Sequence, residues 1–226
     1  MTAPTSAHVA AAPVAAVGER RAAPGRRAIA AITLGNGLEF YDFTVYSFFA
    51  VIIAKLFFPT GNDMTSFLLT VATFGVGFFM RPVGAIVLGV YADRVGRKAA
   101  LTLTILMMAL GTAIIGLAPT YDSIGLWAPA LIVLARLIQG VSAGGEVGGA
   151  TAFLIEHAPD EERGMYASWQ QASQGISFML GAAMGALVTN GLDQAQIDAW
   201  GWRIPFLFGL LIGPVGMYIR SHLEEP

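Results

Sequence analysis

Five ionisable side chains interrupt the long apolar runs of this sequence: Glu39, Asp42, Arg81, Arg136 and Glu146. An arginine guanidinium keeps its charge and can hold a carboxylate through a bidentate fork. A buried carboxylate can exchange a proton, because burial favours its neutral form and a nearby arginine its charged form. Each such group costs on the order of 2.5–3.5 kcal/mol at the centre of a membrane helix, so the five oppose insertion by very roughly 10–15 kcal/mol. That cost points to a polar cavity or pathway in which the acids face the arginines. The alternative is an internal salt-bridge network that only locks helices together.

Spacing gathers further polar groups beside them. Asn36, Glu39, Asp42 and Tyr46 recur at three and four residues, which places them on one face of a helix. Gln170, Ser173, Gln174 and Ser177 share a face in the same way. For these, two readings stand level: contact with a solute, or hydrogen bonding between helices. Gly140, Gly144 and Gly148, then Gly145 and Gly149, then Gly181 and Gly185, repeat every four residues. Small residues at that interval let membrane helices approach closely. The sequence has no cysteine, which excludes disulfides, thiolate metal sites and cysteine nucleophiles. His8, His157 and His222 all lie outside the apolar runs, so no histidine metal cluster is expected within the membrane. Neither H-E-x-x-H nor G-x-S-x-G occurs, and no enzyme is expected.

The elements that carry these groups are read from hydropathy. The chain of 226 residues is 55% hydrophobic and only 12% charged, where soluble domains carry about 25% charge. Its mean hydropathy is +0.64. An all-α membrane protein follows. Residues 1–27, rich in Ala and Pro and closing on Arg20, Arg21, Arg26 and Arg27, read as a disordered cytoplasmic tail. A cleaved signal is not expected, since the next apolar run is longer than an h-region and carries acids. Six transmembrane helices are expected at about 28–58, 65–91, 99–118, 126–155, 165–188 and 202–219, within a bundle over 28–221. Each is about 18 residues or longer, enough to cross about 30 Å of hydrocarbon.

Orientation follows from the basic residues. Arg20, Arg21, Arg26, Arg27, Arg94, Arg97, Lys98, Arg163 and Arg220 fall on one side, and only Lys55 and Arg203 on the other. Both termini are therefore expected in the cytoplasm. Trp127, Trp200, Trp202 and Tyr121 are expected to mark the opposite interface as an aromatic belt.

Between the second and third runs lies Gly89-Val90-Tyr91-Ala92-Asp93-Arg94-Val95-Gly96-Arg97-Lys98. It reads as a tight charged turn. Gly89 and Gly96 permit close approach or positive φ, Asp93 can accept from the next helix start, and Arg94, Arg97 and Lys98 hold the cytoplasmic face. This G-x-x-x-D-R-x-G-R-K pattern resembles the loop-2/3 signature of the major facilitator superfamily. Arg136-Leu137-Ile138-Gln139-Gly140 is similar to that family's R-x-x-Q-G motif. Glu156-His157-Ala158-Pro159 with Arg163-Gly164 is similar to its E-x-x-P-x-x-x-R-G element. Gly35-Asn36 with Glu39–Phe43, Met80–Gly84, Ser142–Glu146 and Trp200–Phe206 resemble the metabolite:proton symporter branch.

The resemblance covers residues 28–226 and implies one half of a twelve-helix facilitator fold, with 222–226 beginning the central cytoplasmic loop. It implies proton-coupled uptake of a small organic acid by alternating access, into a bacterial cell across its inner membrane. Residues 74–89 and 167–174 are most similar to the citrate/tricarballylate carriers, and a proline/betaine carrier is the alternative. In that frame Arg81, Arg136, Asn36, Gln170 and Gln174 contact the solute, and Glu39, Asp42 or Glu146 carries the proton. Gly89, Asp93, Arg94, Gly96, Arg97, Lys98, Glu156 and Arg163 form a cytoplasmic conformational clamp. No cofactor is implied beyond the coupling proton. The expected partners are the organic acid, the lipid bilayer and a second six-helix half, with no nucleic acid. A reading of another class is a truncated, non-transporting membrane protein acting in assembly or regulation.

Overall fold

In the computed structural model, residues 26–159 and 161–221 are described, and they are almost wholly helical. Most of the expected N-terminal tail, residues 222–226 and the side chains of Arg97, Lys98, Glu156 and Arg220 lie outside the described residues. The elements are α1 (Arg26–Phe48), α2 (Ala50–Phe57), α3 (Asp63–Val95), α4 (Arg97–Leu117), α5 (Tyr121–Ile124), α6 (Trp127–His157), α7 (Arg163–Gly191), α8 (Gln194–Gln196), a π-helical turn (Ile197–Gly201) and α9 (Arg203–Ser221).

Local chemistry sets several boundaries. Asn62 caps α3 by accepting from the Thr65 amide at 3.1 Å, and Asp63 adds an acid to the first turn. The helix then runs 33 residues through Pro82. Gly96 alone separates α3 from α4, at φ +106°, a conformation that favours glycine. The charged turn is therefore one residue long. Asp93 remains inside the last turn of α3, and α4 begins without a side-chain cap, so the expected capping role of Asp93 is corrected. Asp193 and Gln196 close a capping box at the start of α8.

Four helical stretches among the described residues are long and apolar enough to cross a membrane: Asp63–Val95, Ala99–Leu117, Trp127–Glu146 and Arg163–Gly191. The first expected span is bent. Gly35–Phe48 and Ala50–Phe57 meet at 68° and together make a fifth. No proline or glycine lies at this break. Beyond it, Phe49, Ile53 and Phe57 are all fully buried in the bundle core.

α3 packs along α6, α1 along α7, and α4 lies against both α6 and α9. Glycines permit the closest of these approaches. A Cβ on Gly144 would fall 2.0 Å from the Arg81 carbonyl oxygen, and one on Gly84 2.0 Å from that of Val141. Gly140 lies as tightly against Gly77. On the α1–α7 seam, Gly181 faces Thr44 and Gly185 faces the Phe48 ring. The outer surface is apolar, with Phe79, Ile86 and Met179 largely exposed, as a lipid-facing surface requires.

One aromatic expectation is corrected. Trp202 is fully buried, its ring edge-on to Phe57 at 5.5 Å and to Phe206 at 6.0 Å. It is a core residue at the foot of α9, whereas Trp127 and Trp200 are exposed. Nearby, Lys55 at the end of α2 pairs with Asp198 in the π turn. The Lys55 ammonium, with a weaker contribution from Gln194, holds the Asp198 carboxyl below its usual range.

Two predictions follow from this packing. Gly144→Ala should destabilise the purified protein by about 1–3 kcal/mol, the usual cost of overpacking. Gly75→Ala, with no described atom within 4 Å of the added carbon, should leave its thermal midpoint unchanged or raised. Equal midpoints for the two would contradict the seam. Because the folded carboxyl of Asp198 titrates below its unfolded value, its stabilisation is present above about pH 4 and is lost as pH falls further. Asp198→Asn should therefore lower stability at neutral pH by under about 1 kcal/mol, an exposed pair's range, with no difference from wild type in strong acid.

Candidate functional site

α1 is the element on which the buried charges converge. Its residues Glu39, Asp42 and Tyr46, separated by three and four positions, are each at most 1% exposed. α3 brings Arg81 to Glu39, and α6 brings Arg136 to Asp42.

The Asp42 pair forms a closed ring. Arg136 donates from Nη1 to Asp42 Oδ2 at 2.7 Å and to Gln139 Oε1 at 2.8 Å. Gln139 Nε2 donates to Thr112 Oγ1 at 3.1 Å, and Thr112 Oγ1 donates to Asp42 Oδ1 at 3.0 Å. Both oxygens of Asp42 are thus occupied. The guanidinium also lies 3.8 Å from the centre of the Tyr46 ring, whose hydroxyl donates to the Thr70 carbonyl at 3.2 Å. This stacking faces the cation where Nε and Nη2 find no hydrogen-bond partner among the described residues. The side chain of Arg136 is only 2% exposed. The ion pair, Gln139 and the rings of Tyr46 and Phe74 enclose it.

The Glu39 pair is different. Arg81 donates from Nη2 to Glu39 Oε1, and its guanidinium lies beside the paired rings of Phe78 at 4.5 Å and Phe43 at 5.2 Å. Glu39 Oε2 and Arg81 Nε have no partner among the described residues. Glu39 is fully buried, yet a quarter of the Arg81 side chain is exposed. It borders a cleft of about 630 Å³ between α1, α3 and α7, walled by phenylalanines 40, 43, 48, 74, 78 and 178, with Thr44 and Ser47. A cation at the edge of an aromatic, partly open cleft can meet an anion that a sealed cation cannot.

The other expected site residues fall elsewhere. Asn36 donates from Nδ2 to Ser173 Oγ at 2.9 Å and to the Gln170 carbonyl at 3.2 Å, so it joins α1 to α7. Gln170 and Gln174 are half-buried on α7. Glu146 is buried on α6, two residues beyond the Gly144 contact with Arg81. Arg94 and Asp93 are exposed at the end of α3, and Arg163 opens α7. Gly89 lies within α3 with no described atom within 4 Å of an added Cβ. Among the described residues no group of three His, Cys, Asp or Glu is placed to hold a metal.

Sequence reasoning missed Thr112, the α4 member of the ring. It is one of three threonines, with Thr102 and Thr104, in the plainest of the apolar runs. Sequence reasoning also missed the phenylalanine walls, whose residues look like ordinary lipid-facing side chains until α1 and α3 are paired.

Fold and site together define a helical membrane bundle with paired charges inside and an open cleft on one face. The family model described as sugar (and other) transporter matches residues 28–225, and the chain belongs to that family, within the major facilitator superfamily. The citrate-proton symporter of Klebsiella pneumoniae is 50% identical over 198 residues, 88% of this chain and 45% of that protein. The proline/betaine transporter of Escherichia coli K12 is 42% identical over 200 residues, 88% of this chain and 40% of that protein. The chain spans about half the length of the curated relatives it matches. The partially occluded, inward-open xylose transporter XylE from E. coli superposes with a TM-score of 0.78 at 18% identity, over 88% of this chain and 50% of that one. This last likeness is one of fold.

The two arginines should respond differently to removal. Arg136→Ala leaves Asp42 buried without a counter-charge and should cost about 3–5 kcal/mol of stability, much of it recovered in Arg136→Ala with Asp42→Asn. Arg81→Ala, at a partly open position, should cost less. Unfolding of the purified variants in detergent measures both, and an Arg81→Ala loss exceeding that of Arg136→Ala would contradict the assignment.

Proposed function

We propose that this chain forms the N-terminal six-helix half of a secondary active transporter. It takes up a small organic acid, a di- or tricarboxylate such as citrate, together with protons, by alternating access across a bacterial inner membrane. α9 is the sixth span, both termini are cytoplasmic, and a second six-helix half completes the cavity. The observation that carries the reading is the Arg81 guanidinium at the edge of the phenylalanine-walled cleft, backed by a buried acid. An organic anion entering there meets one fixed positive charge in a low-dielectric wall. The 50% identity to a citrate-proton symporter supports the choice of solute.

In this reading protons are the coupling ion and no cofactor takes part. Glu39, Asp42 or Glu146 carries the proton. Each positive charge moved inward gains about 2.3 kcal/mol per 100 mV of membrane potential, so the potential drives uptake only when the protons carried outnumber the negative charges of the solute. Arg94, Arg97, Lys98, Arg163 and Glu156, with Gly89, Asp93 and Gly96, form a cytoplasmic clamp that favours one conformational state. Breaking the clamp shifts the equilibrium between states and leaves affinity within each state intact. A zwitterionic osmolyte such as proline or betaine is the second reading. The aromatic cleft walls favour it, since a quaternary ammonium is attracted to ring faces.

The test is uptake of labelled citrate into proteoliposomes containing the protein under an inward proton gradient. Accumulation that collapses with an uncoupler and resists excess glycine betaine is expected. Uptake indifferent to the uncoupler would contradict symport, and displacement by glycine betaine alone would select the osmolyte reading.

A further inference from the structure

α1 and α7 lie parallel. Asn36 bonds to Ser173, Gly181 faces Thr44 and Gly185 faces Phe48, each pair 137 residues apart. Arg26 and Arg163, which begin the two helices, share that interval and stand level at one end of the bundle. α9 packs along α1 but scarcely meets α7. A groove of about 310 Å³ remains between α7 and α9, on the opposite face of α7 from Phe178 and the phenylalanine-walled cleft. Gly37, Leu38 and Tyr41 of α1 form its floor, and Ile176, Leu180 and Phe208 its exposed rim. Tyr41 spends its hydroxyl on the Pro205 carbonyl at 2.7 Å. Ser173 donates to the Gln170 carbonyl at 2.7 Å and accepts from Asn36. The rim offers only hydrocarbon, which water solvates at a cost.

Depth and charge say what could lie there. Along α1 the groove runs from Thr33 to Tyr41. At 1.5 Å per residue that is about 10–22 Å from Arg26, within the reach of one leaflet, which is about 20 Å thick with its headgroups. Trp169, about half exposed, stands one turn before Ser173 at the shallow end of the groove. Tryptophan favours the headgroup level of a membrane. Charge at that level is divided. Glu161 and Glu162 are exposed just ahead of α7, whereas the first turn of α1 carries Arg26 and Arg27. We propose that the groove is a lipid site for one anionic phospholipid. One acyl chain lies over Gly37, Leu38 and Tyr41, and its phosphate sits at the first turn of α1, where two arginines answer it. The chain fills the gap between α7 and α9 and braces α1 on the side turned away from the cleft.

The test is quenching of Trp169 by lipids brominated in their acyl chains. The protein is placed in phosphatidylcholine nanodiscs doped with brominated phosphatidylglycerol or brominated phosphatidylcholine, and Trp169→Phe identifies the share of the fluorescence that Trp169 supplies. Half-maximal quenching is expected at about fivefold lower mole fraction of the phosphatidylglycerol, the preference that one surface arginine gives an acidic lipid. Arg26→Gln with Arg27→Gln should bring the two values together. Leu180→Phe, which narrows the groove, should weaken quenching by phosphatidylglycerol. Equal values for the two lipids in the wild type, or a preference that survives loss of both arginines, overturns the site. So does a Trp169 that neither lipid quenches, as when another protein surface covers the groove. Wild-type quenching in Leu180→Phe overturns the placing of the chain. None of these measurements involves a solute, so the transport reading stands or falls separately.

Discussion

Hydrocarbon offers no water to a charge, so every ion in this bundle has to be answered by a side chain from another helix. That single constraint explains why α1 is the hub. Its two buried acids each recruit an arginine from a different helix, Arg81 from α3 and Arg136 from α6. Both pairs run to α1, while α3 and α6, the helices that supply the arginines, are held against each other at a glycine seam. The carbonyl of Arg81 sits where a side chain at Gly144 would have to go. Packing and site meet at one residue: the backbone of Arg81 lies in the glycine seam between α3 and α6, and its side chain reaches Glu39 on α1.

The same constraint gives the two arginines unequal roles. Arg136 satisfies Asp42, Gln139 and the face of Tyr46 inside a sealed ring, which joins three helices at the cost of desolvating both ions. Arg81 has one acid behind it, two rings beside it and an opening in front. One helix thus carries an enclosed pair and a pair whose cation borders a cleft.

Much of this was legible in the sequence, because membrane proteins advertise their exceptions. Charges in apolar runs, the polar face of Asn36, Glu39, Asp42 and Tyr46, and glycines at intervals of four all appear without any coordinates. The family followed from short motifs. What could not be read was pairing, since nothing in the spacing tells Glu39 to take Arg81 and Asp42 to take Arg136. Nor was accessibility legible, because it depends on which side of each helix a neighbour covers. The 68° break at Phe48–Phe49 has no proline or glycine to announce it. Trp202 carries the composition of an interfacial residue and sits in the core because α9 begins against Phe57. Asn36 shares a face with the ionisable residues but is held by α7, so one face serves both the site and a helix seam.

The central claim is that the cleft beside Arg81 holds water while the outer face of α3 meets lipid. The natural absence of cysteine makes this directly measurable. Single cysteines at Ser47, in the cleft, and at Ile86, on the exposed apolar face of α3, can be challenged in membranes with a membrane-impermeant maleimide. The account predicts rapid labelling of Ser47→Cys, slowed by bound solute, and little labelling of Ile86→Cys. Labelling of Ile86→Cys as fast as Ser47→Cys, or an inert Ser47→Cys, would contradict it.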